Sequence, residues 1–204
     1  MIAMLVVALA IPLTGCGGSN AVGGYGGATP EAAFENFKSA NKSKDFRSAL
    51  GQTTPETQEM TIAGLAVFAP MMAAIDPEKG ADKVKEIQKI LDKHGVKTLD
   101  PAQMAPGQDP KAALKSMTAN VKDKPACAAE IMTWMDANSS KDVNSNFAMK
   151  DMGDATLVDL KVEGDSATAA VKGMPDHPSD TLKFKKIDGA WYLDLSDKMP
   201  GGPG

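Results

Sequence analysis

The chain has 204 residues and a net charge of −4, without a basic block. That length suits one domain with a proper core and is cramped for two, and the missing Lys/Arg footprint argues against nucleic acid as a partner. At 43% hydrophobic and 24% charged the composition is ordinary for a globular protein, while 5% aromatic residues leave little for stacking on bases or sugars.

Residues 2–13 form an apolar, uncharged run that ends at Leu13-Thr14-Gly15-Cys16. The run has the length of a signal-peptide core and falls short of a bilayer span. The four residues resemble the bacterial lipobox, in which Leu, a small residue and Gly or Ala precede Cys. The resemblance implies that residues 1–15 are a lipoprotein signal peptide. It also implies that Cys16 takes a diacylglyceryl thioether, adds acyl chains such as palmitate, and becomes the mature N-terminus. Met1-Ile2-Ala3 departs from the usual pattern in carrying no Lys or Arg. Residues 16–28 then read as the lipidated cysteine and a flexible tether, since six glycines in twelve residues cannot bury enough apolar surface to order the chain. A Gly-rich chain of that length reaches roughly 20 Å. Gly17 stands where inner-membrane lipoproteins of two-membrane bacteria carry Asp, so the resemblance points to the cell envelope and there to the outer membrane.

From residue 29 the sequence predicts a single α+β domain over 29–198, a helical half followed by a sheet, with 199–204 as a disordered tail. Four helix starts are signalled by a cap residue before Pro, in Thr29-Pro30-Glu31, Thr54-Pro55-Glu56, Asp76-Pro77-Glu78 and Asp109-Pro110-Lys111. Asp100-Pro101-Ala102-Gln103 adds a capping-box pattern. The first helix, 30–41, buries Ala33, Phe34, Phe37 and Ala40, and 45–50 makes one further turn. Residues 55–75 predict a central helix kinked at Pro70, uncharged from Thr61 to Ile75. The helix at 78–93 turns Val84, Ile87 and Leu91 inward and stops at Gly95. Helices near 110–121 and 125–137 follow, the last with Ile131, Trp134 and Met135 as its inner stripe.

At Ala155 the period changes to two. Gly164-Asp165 and Asp188-Gly189 signal two-residue hairpin turns. The first places Val162, Leu160 and Val158 opposite Ala167, Ala169 and Val171. The second places Phe184 opposite Leu193, Leu182 opposite Leu195 and Lys183 opposite Asp194. The result is a four-stranded antiparallel sheet with one apolar face.

Two stretches resemble exported domains of the nuclear transport factor 2-like superfamily, an α+β cone. One runs through Thr29-Pro30-Glu31-Ala32-Ala33-Phe34, Lys44-Asp45-Phe46 and Thr54-Pro55-Glu56. The other joins Val162-Glu163-Gly164-Asp165-Ser166-Ala167 to Asp188-Gly189-Ala190-Trp191-Tyr192. The resemblance covers about half of the mature chain. It implies a first helix packed into a curved sheet, in a superfamily that hosts both enzymes and binding domains. The helical stretch 56–137 is longer than that pattern.

No residue pattern carries catalysis. The chain lacks Gly-x-Ser-x-Gly, His-x-x-x-His, Cys-x-x-Cys and a phosphate loop. His94 falls at a helix end, where a cation suits the macrodipole, and Asp176-His177 reads as turn chemistry in a loop. Cys127, among alanines and without a disulfide partner once Cys16 is lipidated, reads as a buried inert thiol. The pairs Met71-Met72, Met132 with Met135, and Met149 with Met152 suit copper(I) by softness, but they lie on apolar helix faces and read as core filler. The lysines of 78–93 alternate with Asp82, Glu86 and Asp92 as a solvated face. No cofactor and no metal is expected.

The sequence thus points to a lipid-anchored, non-enzymatic domain that binds a small apolar ligand or an envelope protein, attached to the membrane through Cys16. The alternatives are a cone-fold isomerase or hydrolase, which would need polar groups inside a cavity, and an envelope scaffold, which would show an exposed apolar patch.

Overall fold

A computed structural model describes residues 24–98, 109–138, 152, 154–173 and 181–198. Cys16, the Asp100 capping box, Met149, His177 and the tail 199–204 lie outside the described residues. Helices come first and the sheet last: α1 Pro30–Lys42, α2 Phe46–Gly51, α3 Pro55–Ala74, α4 Gly80–His94, α5 Pro110–Thr118 and α6 Lys124–Asn138. They are followed by β1 Thr156–Glu163, β2 Ser166–Lys172, β3 Thr181–Ile187, β4 Ala190–Asp194 and a closing 3-10 turn, Ser196–Lys198. The fold is α+β, as its sequence pattern predicts.

Local chemistry explains most boundaries. Thr29, Thr54 and Asp109 each accept a backbone N–H of the first turn, and Pro follows at the first helical position. Gly95 closes α4 at φ 74°, where its N–H reaches back to the Asp92 carbonyl. The helix expected at 78 starts instead at Gly80. The Asp76 carboxylate accepts from the amides of Glu78 and Lys79, so the Asp76-Pro77 pair shapes a turn. Gly80 is needed just there, because a Cβ would stand 3.1 Å from the Ala73 carbonyl oxygen. Helix α3 runs unbroken through Pro70.

The sheet is a meander in the order β1-β2-β3-β4, all antiparallel. The predicted register holds at Val162 with Ala167, Phe184 with Leu193 and Lys183 with Asp194. It fails at Val158, which faces Ala170, while Leu157 takes the place opposite Val171. The cause is a bulge: Asp159 and Leu160 together oppose Ala169, and Asp159 adopts φ 53°. The extra residue shifts the phase, so Leu157 and Leu160 pack on the core. Leu195 lies beyond the end of β4 and does not pair with Leu182, although both are buried in one cluster.

Two apolar clusters divide the molecule. In the helical one, Ile62, Leu65 and Ala69 of α3 meet Ile87 and Leu91 of α4, Met117 of α5 and Cys127, Ile131 and Met135 of α6. Trp134, expected on the inner stripe, is only half-buried at its margin. In the other cluster, Phe34 and Phe37 of α1 lie on Ala167, Val171, Phe184, Trp191 and Leu193 of the sheet. Helix α2 serves both, with Ala49 in the sheet cluster and Leu50 in the helical one.

Part of the predicted tether belongs to the body. Gly27 and Trp191 exchange two backbone hydrogen bonds of 2.9 and 2.8 Å. The Tyr25 ring covers Gly51, where a Cβ would stand 2.2 Å from a ring carbon, and its carbonyl accepts from the Tyr192 hydroxyl. Tyr25 and Gly27 therefore belong to the folded domain, which the sequence pattern starts at Thr29.

Candidate functional site

Where α3 starts, it meets the end of β4 through a buried polar seam. Leu193 donates to the Gln52 carbonyl at 2.9 Å and accepts from the Thr54 amide at 2.8 Å, which covers the open edge of β4. Thr54 and Thr57 share a hydroxyl hydrogen bond of 2.9 Å, and the Leu195 amide donates to the Thr57 hydroxyl. Asp194 is at the centre. Its Oδ1 accepts from the Ser196 hydroxyl at 2.7 Å and the Ser196 amide at 3.2 Å, and its Oδ2 pairs with Lys185 at 2.6 Å. The cross-strand neighbour Lys183 turns to Asp197 instead, so the expected Lys183–Asp194 pairing holds in register but not in charge.

Burial alone would raise the Asp194 carboxyl. Lys185 and the Ser196 donors outweigh it and hold the group below the usual carboxylate range. On α3, the Lys111 ammonium lowers Glu56 in the same sense. Asp76 is held at about 2 by Lys83 and the two turn amides. A depressed folded-state pKa contributes stability above the unfolded value and loses it as pH falls through the folded one. The urea midpoint is therefore expected to stay level above pH 5 and fall between pH 4 and pH 2. Asp194→Asn should flatten part of that acid limb; an unchanged slope would show that the seam carries no titrating stability.

Ser196 is buried, no histidine among the described residues approaches it, and its hydroxyl is spent on a carboxylate that Lys185 already holds. His94 meets Glu130 at 2.7 Å beside Lys93, a tie between α4 and α6. Cys127 is fully buried, and burial pushes its thiol up to about 12, so it is inert as expected. Of the α4 lysines, Lys85 pairs with Asp82 on the solvated face, while Lys83 reaches Asp76 and Lys93 reaches Glu130. Among the described residues no group of three or more His, Cys, Asp or Glu could hold a metal ion. Tyr192 donates its hydroxyl to the Tyr25 carbonyl, outside the apolar layer.

The space between α1 and the sheet is filled by Phe34, Phe37, Phe184, Trp191 and Leu193. A cleft beside α3, lined by Met72, Ala73, Trp134, Met135 and Asn138, has about 20 Å³, room for about one water.

The unexpected feature is the outer face of α3. Met60 is core, but Met71, expected as core filler, is 62% exposed, next to Ile75 at 71% and Val67 at 37%. Seven residues make nearly two turns and eighteen make five, so Gly64, Met71 and Ile75 fall in line with Thr57. The helix side that meets Leu195 through Thr57 thus continues as an uncovered apolar stripe, flanked by Val67. No charge interrupts it from Thr61 to Ile75. Among the described residues no helix is long and apolar enough to cross a membrane. From sequence the Met71-Met72 pair reads as filler, because a helix apolar on every side gives no sign of which side is outside.

Comparison with protein-family models, with curated proteins and with solved structures finds no match for this chain.

Proposed function

We propose that this protein is a bacterial lipoprotein, held in the cell envelope by a lipid on Cys16, whose domain works by surface contact and not by catalysis. The observation that carries the reading is the pairing of an interior filled with apolar side chains with an uncharged exposed stripe on α3. An isomerase or hydrolase of the cone type needs polar groups facing a cavity. Here the hydroxyls of Thr54, Thr57 and Ser196 and the Asp194 carboxylate face one another where α3 meets β4. A cleft that admits one water does not enclose an apolar ligand. The lipobox supplies the address, and the well-seated Tyr25 and Gly27 give the tether a firm root.

Cys16→Ala tests the address. Two or more acyl chains, at about 0.8 kcal/mol per buried CH₂, hold a protein on a membrane where a small apolar patch alone does not. The variant is expected to move from the membrane pellet to the soluble fraction almost completely. Equal amounts in the pellet for both proteins would end the lipoprotein reading.

A further inference from the structure

We infer that the exposed stripe of α3 is a second membrane contact, through which the anchored domain lies on its own bilayer with Met71 and Ile75 among the acyl chains at the headgroup boundary. This rests on the lipoprotein reading above. Three observations lead to it.

The first is chemistry. Fifteen residues from Thr61 to Ile75 carry no charge, and on their uncovered side stand Gly64, Val67, Met71 and Ile75. Such a face enters the boundary of a bilayer without desolvating an ion.

The second is size. Three exposed side chains amount to a few hundred Å², well short of the roughly 800 Å² that each partner of a stable protein complex buries. A second copy would gain too little to stay. A bilayer differs, because the lipid on Cys16 already holds it within reach and association becomes an intramolecular step.

The third is reach. Seven residues, hence eight chain steps, separate Cys16 from Gly24, a span of at most about 28 Å. The tether root is fixed on Gly51 and Trp191, near the start of α3, and the stripe occupies the far part of the same helix. The lipid diffuses sideways, so the tether needs only to span the height of the root above the surface. A tether of that length keeps the domain, and the stripe with it, next to the bilayer.

The test uses the full lipidated chain with Ile75→Cys, extracted from the host and labelled with the environment-sensitive dye NBD. Cys127 is buried and unreactive, and a lipidated Cys16 has no free thiol, so the dye reports one place. The protein is reconstituted into phosphatidylethanolamine–phosphatidylglycerol vesicles with or without brominated acyl chains. Glu163→Cys, exposed at the tip of the β1–β2 hairpin, is the comparison position. The dye at 75 should brighten several-fold on vesicles and be quenched by bromine, the dye at 163 should do neither, and Met71→Asp should abolish the response at 75 while the protein stays on the vesicles. An anchored protein whose dye at 75 stays in water overturns the inference and leaves the lipoprotein reading intact. A Cys16→Ala chain that forms dimers broken by Met71→Asp overturns it in favour of a second copy. An intact mass without lipid on Cys16 removes the anchor, and the inference with it.

Discussion

Phe184→Ala is expected to cost about 3–5 kcal/mol. Phe184 is among the largest fully buried side chains and stands opposite Leu193 on one side and Ala167 on the other. Neither neighbour can fill the space: Ala167 is too small, and Leu193 is held by the Gln52 and Thr54 backbone. A cavity therefore remains under α1, and its lining loses both transfer and dispersion energy. For a domain of this size the melting temperature should fall by about 10 °C or more. Val162→Ala, at a site 52% exposed near the hairpin tip, should stay within about 0.5 kcal/mol of the parent. Similar losses in both variants, by calorimetry or urea titration, would mean that the sheet cluster is not the core described above.

Gly27→Ala should be nearly as damaging for a different reason. A Cβ there would lie 2.2 Å from the Ala33 amide nitrogen and 2.8 Å from the Ala32 carbonyl carbon, both backbone atoms of α1. Backbone does not yield as a flexible side chain does. Either Gly27 leaves Trp191 and gives up two hydrogen bonds, or α1 moves off Phe184. Each course costs on the order of 2–3 kcal/mol, and limited proteolysis should show faster cleavage near residue 25. Gly64→Ala is the useful contrast. Its Cβ would meet nothing within 4 Å, and alanine favours an exposed helix over glycine by about 0.5–1 kcal/mol, so that variant should be more stable. Unchanged cleavage in Gly27→Ala would show that the tether is rooted elsewhere.

Those two glycines show where the sequence is readable. Signals that act within four residues can be read directly: Thr29, Thr54 and Asp109 cap helices, and Asp188-Gly189 turns a hairpin with both residues at positive φ. Features set by distant neighbours cannot. Gly26 and Gly27 look like slack among six glycines, yet Gly27 is there because α1 passes too close for a side chain. Thr54 reads as a cap and is one, but its hydroxyl also belongs to the seam with Thr57, and Thr57 reaches Leu195 across the whole chain. The bulge at Asp159 leaves no mark in the alternation, since Val158 and Leu157 are both apolar. The direction of α3 is illegible for the same reason: with Ile62, Leu65, Met71 and Ile75 spread around it, only its neighbours decide which side is left out.

The division into two clusters has a consequence for the order of assembly. Among the described residues, every member of the helical cluster falls between Leu50 and Met135, so α3 to α6 can come together as soon as they are made. The sheet cluster instead joins α1, near the start of the chain, to strands at its very end. Helix α1 is therefore synthesised first and buried last, and until β4 arrives its face of Ala33, Phe34, Phe37 and Ala40 stays open to water. The first helix is therefore the segment for which a holding chaperone would matter most.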